Sequence, residues 1–223
     1  MDPFRLCLAL GPVAMYLLLL GAINLSRRPV LVSGVRDAAT LALAISGLVI
    51  AGPIELFFPF QAAAHFGGYV WLLLLALYAM CVVLVLLLLR PRLIIYNISV
   101  DKLRPVLADV VERLDTDARW AGDSMVLPQL GVQLYVDNFA ALRSVSLISA
   151  GGRQSHAGWR RLELALSSSL AREDVSRNPR GMSLISAGVL IIVVLVMIVS
   201  RNPQAVAQSL LDVARALMKM VGL

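Results

Sequence analysis

Glu55 is the sharpest chemical candidate in the chain. It follows Gly52-Pro53 inside an apolar stretch. A carboxylate beside a helix break within a membrane span can bind an ion or relay a proton, and the backbone groups freed by the break can line the site. A plainer role competes with this one. Glu55 stands about one turn from the end of its span, where a carboxylate reaches the headgroup layer.

A second candidate is the run Gly151-Gly152-Arg153-Gln154-Ser155-His156, followed by Trp159-Arg160-Arg161. A glycine-rich, basic turn at a helix start suits a phosphate or a lipid headgroup, with Arg160 and Arg161 supplying the charge. The run lacks the terminal Gly-Lys-Ser/Thr of a nucleotide-binding loop, and a solvated loop explains it equally well.

Other groups fall to simpler explanations. Asp109, Glu112, Asp115 and Asp117 would suit a metal by type, but a solvated helix face beside Arg113 accounts for them. His65 has only Glu55 near it, too few ligands for a metal. Cys7 and Cys81 both fall in apolar runs, far apart, so neither a disulfide nor a zinc site is expected. Asn97-Ile98-Ser99 fits a glycosylation acceptor but falls in a predicted cytoplasmic strand. Nucleophile elbows, His-Glu-x-x-His and paired Cys-x-x-Cys are missing from the sequence. No catalytic residue, cofactor or metal is therefore expected, and the chain reads as non-enzymatic.

The elements that must position these residues are mostly apolar. The chain has 223 residues, of which 59% are hydrophobic, with a net charge of +6. That is too apolar for a water-soluble globule and too charged for a protein made only of spans. Tyr69–Leu89 holds no charge and stops at Arg90-Pro91-Arg92. Some twenty residues at ~1.5 Å each match the ~30 Å hydrocarbon core of a bilayer. Further spans are predicted at about Leu6–Leu25, read as a retained anchor with Gly11-Pro12 in its first half, at Ala38–Phe58, and at Met182–Ser200. A short loop joins the first two.

Between the third and fourth spans the pattern changes. Leu93–Ile98 reads as a strand. Asp101–Leu114 reads as an amphipathic helix burying Leu103, Val106, Leu107, Val110, Val111 and Leu114. Short strands flank a turn at Gly122-Asp123, Val132, Leu134 and Val136 alternate with polar residues, and Ser144–Ser149 forms another strand. Trp159, Leu162, Leu166 and Leu170 mark a second helix. The order β-α-β-β-β-α predicts a small α+β domain. After span four, Asn202-Pro203 opens an amphipathic helix over Gln204–Met220, too interrupted by charge to span.

Short repeats of Ser-Leu-Ile-Ser-Ala-Gly (Ser146–Gly151, Ser183–Gly188) and Ser-Arg-Asn-Pro (Ser176–Pro179, Ser200–Pro203) carry no architecture. The first pair falls in a strand and in a span. The second brackets span four as boundary chemistry.

Arg27, Arg28 and Arg36 in loop one, with Arg90, Arg92, Arg172, Arg177 and Arg180 at the ends of the domain, place both on the cytoplasmic side by the positive-inside rule. The tail's Arg201, Arg215 and Lys219 pull the other way.

Ser26-Arg27-Arg28-Pro29 through Gly47-Leu48-Val49-Ile50-Ala51-Gly52-Pro53-Ile54-Glu55 resembles a run in uncharacterised bacterial integral membrane proteins. The resemblance covers spans one to three and, more faintly, the domain. It implies an inner-membrane location and nothing about activity.

The expected architecture is thus an α-helical membrane protein with four transmembrane helices. Residues 1–89 form a three-span region, 90–180 a cytoplasmic α+β domain, and 181–223 the fourth span and a C-terminal helix. The expected partners are the lipid bilayer, anionic lipid headgroups, and a protein partner or second copy of the chain. Nucleic acid is not expected. The leading function is a membrane-anchored interaction or scaffold protein. The alternatives are a small transporter or channel component using Glu55, and a lipid-acting enzyme using the Gly151–Arg161 loop.

Overall fold

The computed structural model describes residues 3–54, 65, 69–140, 142–152 and 154–221. The elements begin with α1 (Pro3–Leu25), β1 (Val30–Ser33), α2 (Gly34–Val49) and α3 (Tyr69–Leu88). Then come β2 (Arg92–Tyr96), α4 (Val100–Leu114), β3 (Arg119–Ala121), β4 (Ser124–Leu127), β5 (Val132–Phe139) and β6 (Ser144–Ser149). The last three are α5 (His156–Leu170), α6 (Arg180–Arg201) and α7 (Pro203–Val221). Two compact units result: Leu19–Ala38 with Leu88–Ile185, and Met1–Leu18, Ala39–Leu87 and Ser186–Leu223.

Among the described residues four helices are long and apolar enough to cross a bilayer: Pro3–Leu25, Gly34–Gly52, Tyr69–Leu88 and Arg180–Arg201. In α3 only Val70 is buried, and Leu87 is 78% exposed. A helix clothed in leucine on every side has no favourable solvent but lipid. The second span ends in a π-helical turn, Ile50–Ile54, at Gly52-Pro53, where the proline withholds a backbone N–H. Close glycine packing and a tyrosine hydroxyl join helices of this unit. A Cβ on Gly47 would stand 1.9 Å from Leu8 O, so α1 and α2 meet backbone to backbone. Tyr78 donates its hydroxyl hydrogen to Ala42 O at 2.8 Å, tying α3 to α2.

The other unit is built on an antiparallel six-stranded sheet in the order β1-β2-β6-β5-β4-β3. Strands β3 to β6 form a meander that walks back to β2, and Gly122, at φ 64, makes the tight β3–β4 turn. Alternation sets the faces. Val132, Leu134 and Val136 are buried, while Gln133, Tyr135 and Asp137 are exposed. Helices α4 and α5 cover the apolar face with Leu103, Leu107, Val110 and Val111 from one and Trp159, Leu162, Leu166 and Leu170 from the other. Val106 and Leu114 are only partly buried.

The α+β class stands, and the sheet is larger than expected. Four strands lie between α4 and α5, matching the four β segments read there and one more than the order β-α-β-β-β-α contains. A sixth comes from outside the predicted domain: the loop between spans one and two is not plain loop but β1, paired with β2 from Val30↔Tyr96 to Ser33↔Leu93. Leu31 packs against the same core as Ile95. Loop one and the segment after α3 therefore lie on one side of the bilayer. Strand β2 stops at Tyr96, short of the expected Ile98, because Asn97 turns left-handed at φ 61, a conformation asparagine tolerates better than most residues.

Candidate functional site

The structure places the two sequence candidates unequally. Glu55 lies outside the described residues, as does Arg153. Arg160 and Arg161 lie near the start of α5, both exposed. In the glycine-rich turn before them, Gln154 and Ser155 bond internally. Gln154 Nε2 donates to Ala150 O and to Gln133 O, and Gln154 Oε1 accepts from Gln133 N and from Trp159 Nε1 at 2.9 Å. Ser155 caps α5, its Oγ accepting from Gly158 N at 3.1 Å. Gly158 itself serves close packing, since a Cβ there would stand 2.1 Å from Leu130 O. The turn is a fastening between helix and sheet.

The acidic group divides in the same way. Asp109 pairs with Arg113 at 2.8 Å on an open helix face. Asp115 is instead buried, at 1% exposure. Its carboxylate accepts from Asp117 N at 3.1 Å, Gln129 N at 2.8 Å and Leu130 N at 3.3 Å. That is the work of a turn anchor. Among the described residues no three acidic, histidine or cysteine side chains gather as a metal would require.

The polar constellation that the fold does assemble is one the sequence hid. It lies where α1 ends, α2 begins, α6 begins and the sheet's β1–β2 edge passes. Asn24 and Asn178, 154 positions apart, are 0% and 2% exposed. Asn178 Nδ2 donates to Asn24 Oδ1 at 3.0 Å, and Asn178 N donates to Asn24 O at 3.0 Å. Asn24 Nδ2 returns to Leu20 O within α1. Asn178 Oδ1 also accepts from Arg180 N at 3.2 Å, capping α6 ahead of its first turn. Val175 N donates to Arg27 O at 2.8 Å, and Asn97 Nδ2 donates to Ser26 O at 2.7 Å.

A second cluster continues this seam. Asp37, in the first turn of α2, accepts from the Tyr96 hydroxyl and faces Arg92 at 3.6 Å. A Cβ on Gly34 would stand 2.1 Å from Arg92 Cγ, so a glycine begins α2 where the arginine crosses. The span ends also touch directly. A Cβ on Gly21 would come within 2.5 Å of Ile185 Cγ1, and one on Gly181 within 2.9 Å of Gly21 O. Asn97 Oδ1 and Arg92 Nε stay buried without a hydrogen-bond partner among the described residues, a residual cost of threading a polar seam between apolar layers.

Chemically, this seam contains amides, an ion pair, a phenol and main chain. Its capacity is mechanical. It fixes three span ends to one sheet, and at its centre the Asn24–Asn178 bond is buried, where breaking a hydrogen bond strands its partner. No protein-family model, curated protein or solved structure matches the chain.

Proposed function

We propose that the chain is a non-enzymatic, membrane-anchored interaction or scaffold protein of an inner membrane, with its α+β domain in the cytoplasm. One observation carries this reading. The domain is not a bead on a tether, because its edge strand β1 is the connection between spans one and two. A load on the sheet therefore reaches the ends of α1, α2 and α6 through the Asn24–Asn178 and Asp37–Arg92–Tyr96 contacts. A fixed platform suits a docking role. Away from the sheet, α4 and α5 flank an open groove of mixed charge lined by Asp101, Lys102, Asp109, Arg113, Arg172 and Glu173, a surface suited to a polar protein partner.

The test uses the full chain in its native membrane. A photocrosslinking side chain at Asp109 or Arg172 is expected to give one discrete adduct, and the same group at Ala121, on the far sheet edge, none. Indiscriminate adducts from all three positions, or none from the groove, would remove the docking reading. A reporter fluorescent only in the cytoplasm, joined after Gly151, is expected to glow. A dark, stably inserted fusion reverses the sidedness.

A second reading, a transporter or channel component, draws on the π turn at Ile50–Ile54 that immediately precedes Glu55, since such turns recur at functional sites in helices. Proton-linked flux lost in Glu55→Gln would favour it over the scaffold.

A further inference from the structure

The β5–β6 turn sits beside the start of a membrane span. Arg180, the first residue of α6, donates from Nη1 to Ala140 O at 3.0 Å. Arg143 donates from Nη1 to Ser176 O at 3.0 Å and to Ser176 Oγ at 3.3 Å, just upstream of that span. Ile98 N donates to Arg143 O at 2.8 Å, fixing the turn to the end of β2. The level of the turn relative to the bilayer follows. Span α1 stops at Leu25 and α6 starts at Arg180, and the Asn24–Asn178 bonds hold these two ends together. Both hydrophobic segments thus end in one plane, and the turn lies in it.

What gathers at that plane is basic and aromatic. Arg27 and Arg28 follow α1, Arg177 and Arg180 precede α6, and Arg143 enters from the turn. Arg27, Arg28, Arg177 and Arg180 are all exposed. The carboxylates in the same segments are Glu173 and Asp174, while Asp37 is engaged by Arg92 and Tyr96. In these segments arginines outnumber carboxylates. Phe139, last residue of β5, is 57% exposed beside them. In water an open phenylalanine leaves its apolar surface unburied. At the boundary of a bilayer the ring enters the headgroup layer while guanidinium groups pair with phosphates.

We propose that this collar is a binding surface for anionic phospholipid headgroups: Phe139 enters the interfacial layer, and Arg27, Arg28, Arg143, Arg177 and Arg180 hold the phosphates around the ends of α1 and α6. The surface clamps the sheet against the membrane and makes its attachment sensitive to lipid charge. Such a collar depends on the spans and not on a scaffold role.

The test places a spin label at Phe139→Cys, and separately at Ala140→Cys and Ala121→Cys, in a full-length Cys7→Ala, Cys81→Ala background. The protein is embedded in vesicles of mixed phosphatidylcholine and phosphatidylglycerol. At positions 139 and 140 oxygen is expected to relax the label more than a water-soluble nickel chelate does, with the order reversed at 121. A water-like profile at all three overturns the proposal. The charge half is read by lipid retained on purification. Wild-type protein is expected to enrich phosphatidylglycerol over phosphatidylcholine, and Arg28→Gln with Arg177→Gln to lose roughly tenfold or more of that preference. Both arginines lie on exposed surface, so the fold survives, and an unchanged circular dichroism spectrum checks this. Equal retention by the variant overturns the proposal. So does displacement of the lipid by millimolar inorganic phosphate, which would mark a soluble-anion site instead.

Discussion

Removing Asn178 should loosen the sheet from the spans by a predictable amount. In Asn178→Ala the bond to Asn24 Oδ1 and the cap on Arg180 N both disappear. A fully buried acceptor, Asn24 Oδ1, is left without its partner. A lost bond, a stranded buried group and a lost helix cap together cost about 3 kcal/mol. Asn24→Ala removes the same side-chain bond but spares the cap, and costs about 2 kcal/mol. The assay is hydrogen exchange of the full chain in lipid nanodiscs, read at the Val175 and Asn178 amides, which donate to Arg27 O and Asn24 O. These costs correspond to exchange faster by about 100-fold and about 30-fold if local opening governs it. The double variant strands no partner, so its loss falls short of the sum by about 1–2 kcal/mol. Strict additivity, or a change under about threefold in Asn178→Ala, would refute the view that this pair fastens the domain to the spans.

Four further outcomes follow from the same contacts. Asp115→Ala leaves three backbone N–H groups without their acceptor and should lower the domain's stability by about 3–4 kcal/mol, read from its denaturation midpoint in detergent. Gly21→Val drives a branched side chain into Ile185 and should abolish a monodisperse folded peak in size-exclusion chromatography, whereas Gly11→Ala, with open space at its Cβ, should not. A fragment spanning residues 88–180 lacks β1 and bares the β2 edge, so it should self-associate, and a peptide of residues 27–36 should suppress this. Self-association of that fragment would consequently report the missing strand and not a native partner. Arg160→Gln with Arg161→Gln, on an exposed helix face, should shift stability by no more than about 0.5 kcal/mol.

Residues whose partners lie nearby in the chain were legible from the sequence. Tyr69–Leu88 declares its solvent by composition alone, since no arrangement of neighbours could hide so continuous an apolar surface. The faces of α4 and β5 followed from period, because burial on one side repeats every 3.6 or every 2 residues. Gly122-Asp123 identified its turn through local backbone chemistry.

The seam escaped for the opposite reason. Val30–Ser33 is four residues long, and its partner strand begins 59 residues after it ends, beyond two spans; a strand that short carries too few alternations to declare itself. Asn24 and Asn178 each look like ordinary residues at the margin of a hydrophobic run. Asn97 looked like a glycosylation acceptor, and is a buried left-handed corner bonded to Ser26 O. Asp115 looked like one more acid on a wet helix.

Composition and period already put this chain in a bilayer and give it an α+β domain, because both are properties of contiguous residues. The borrowed edge strand and the bonds from the sheet to the span ends emerge only on folding. A hydrogen bond between residues 154 positions apart is specified by the meeting of two surfaces, and neither segment alone contains that meeting.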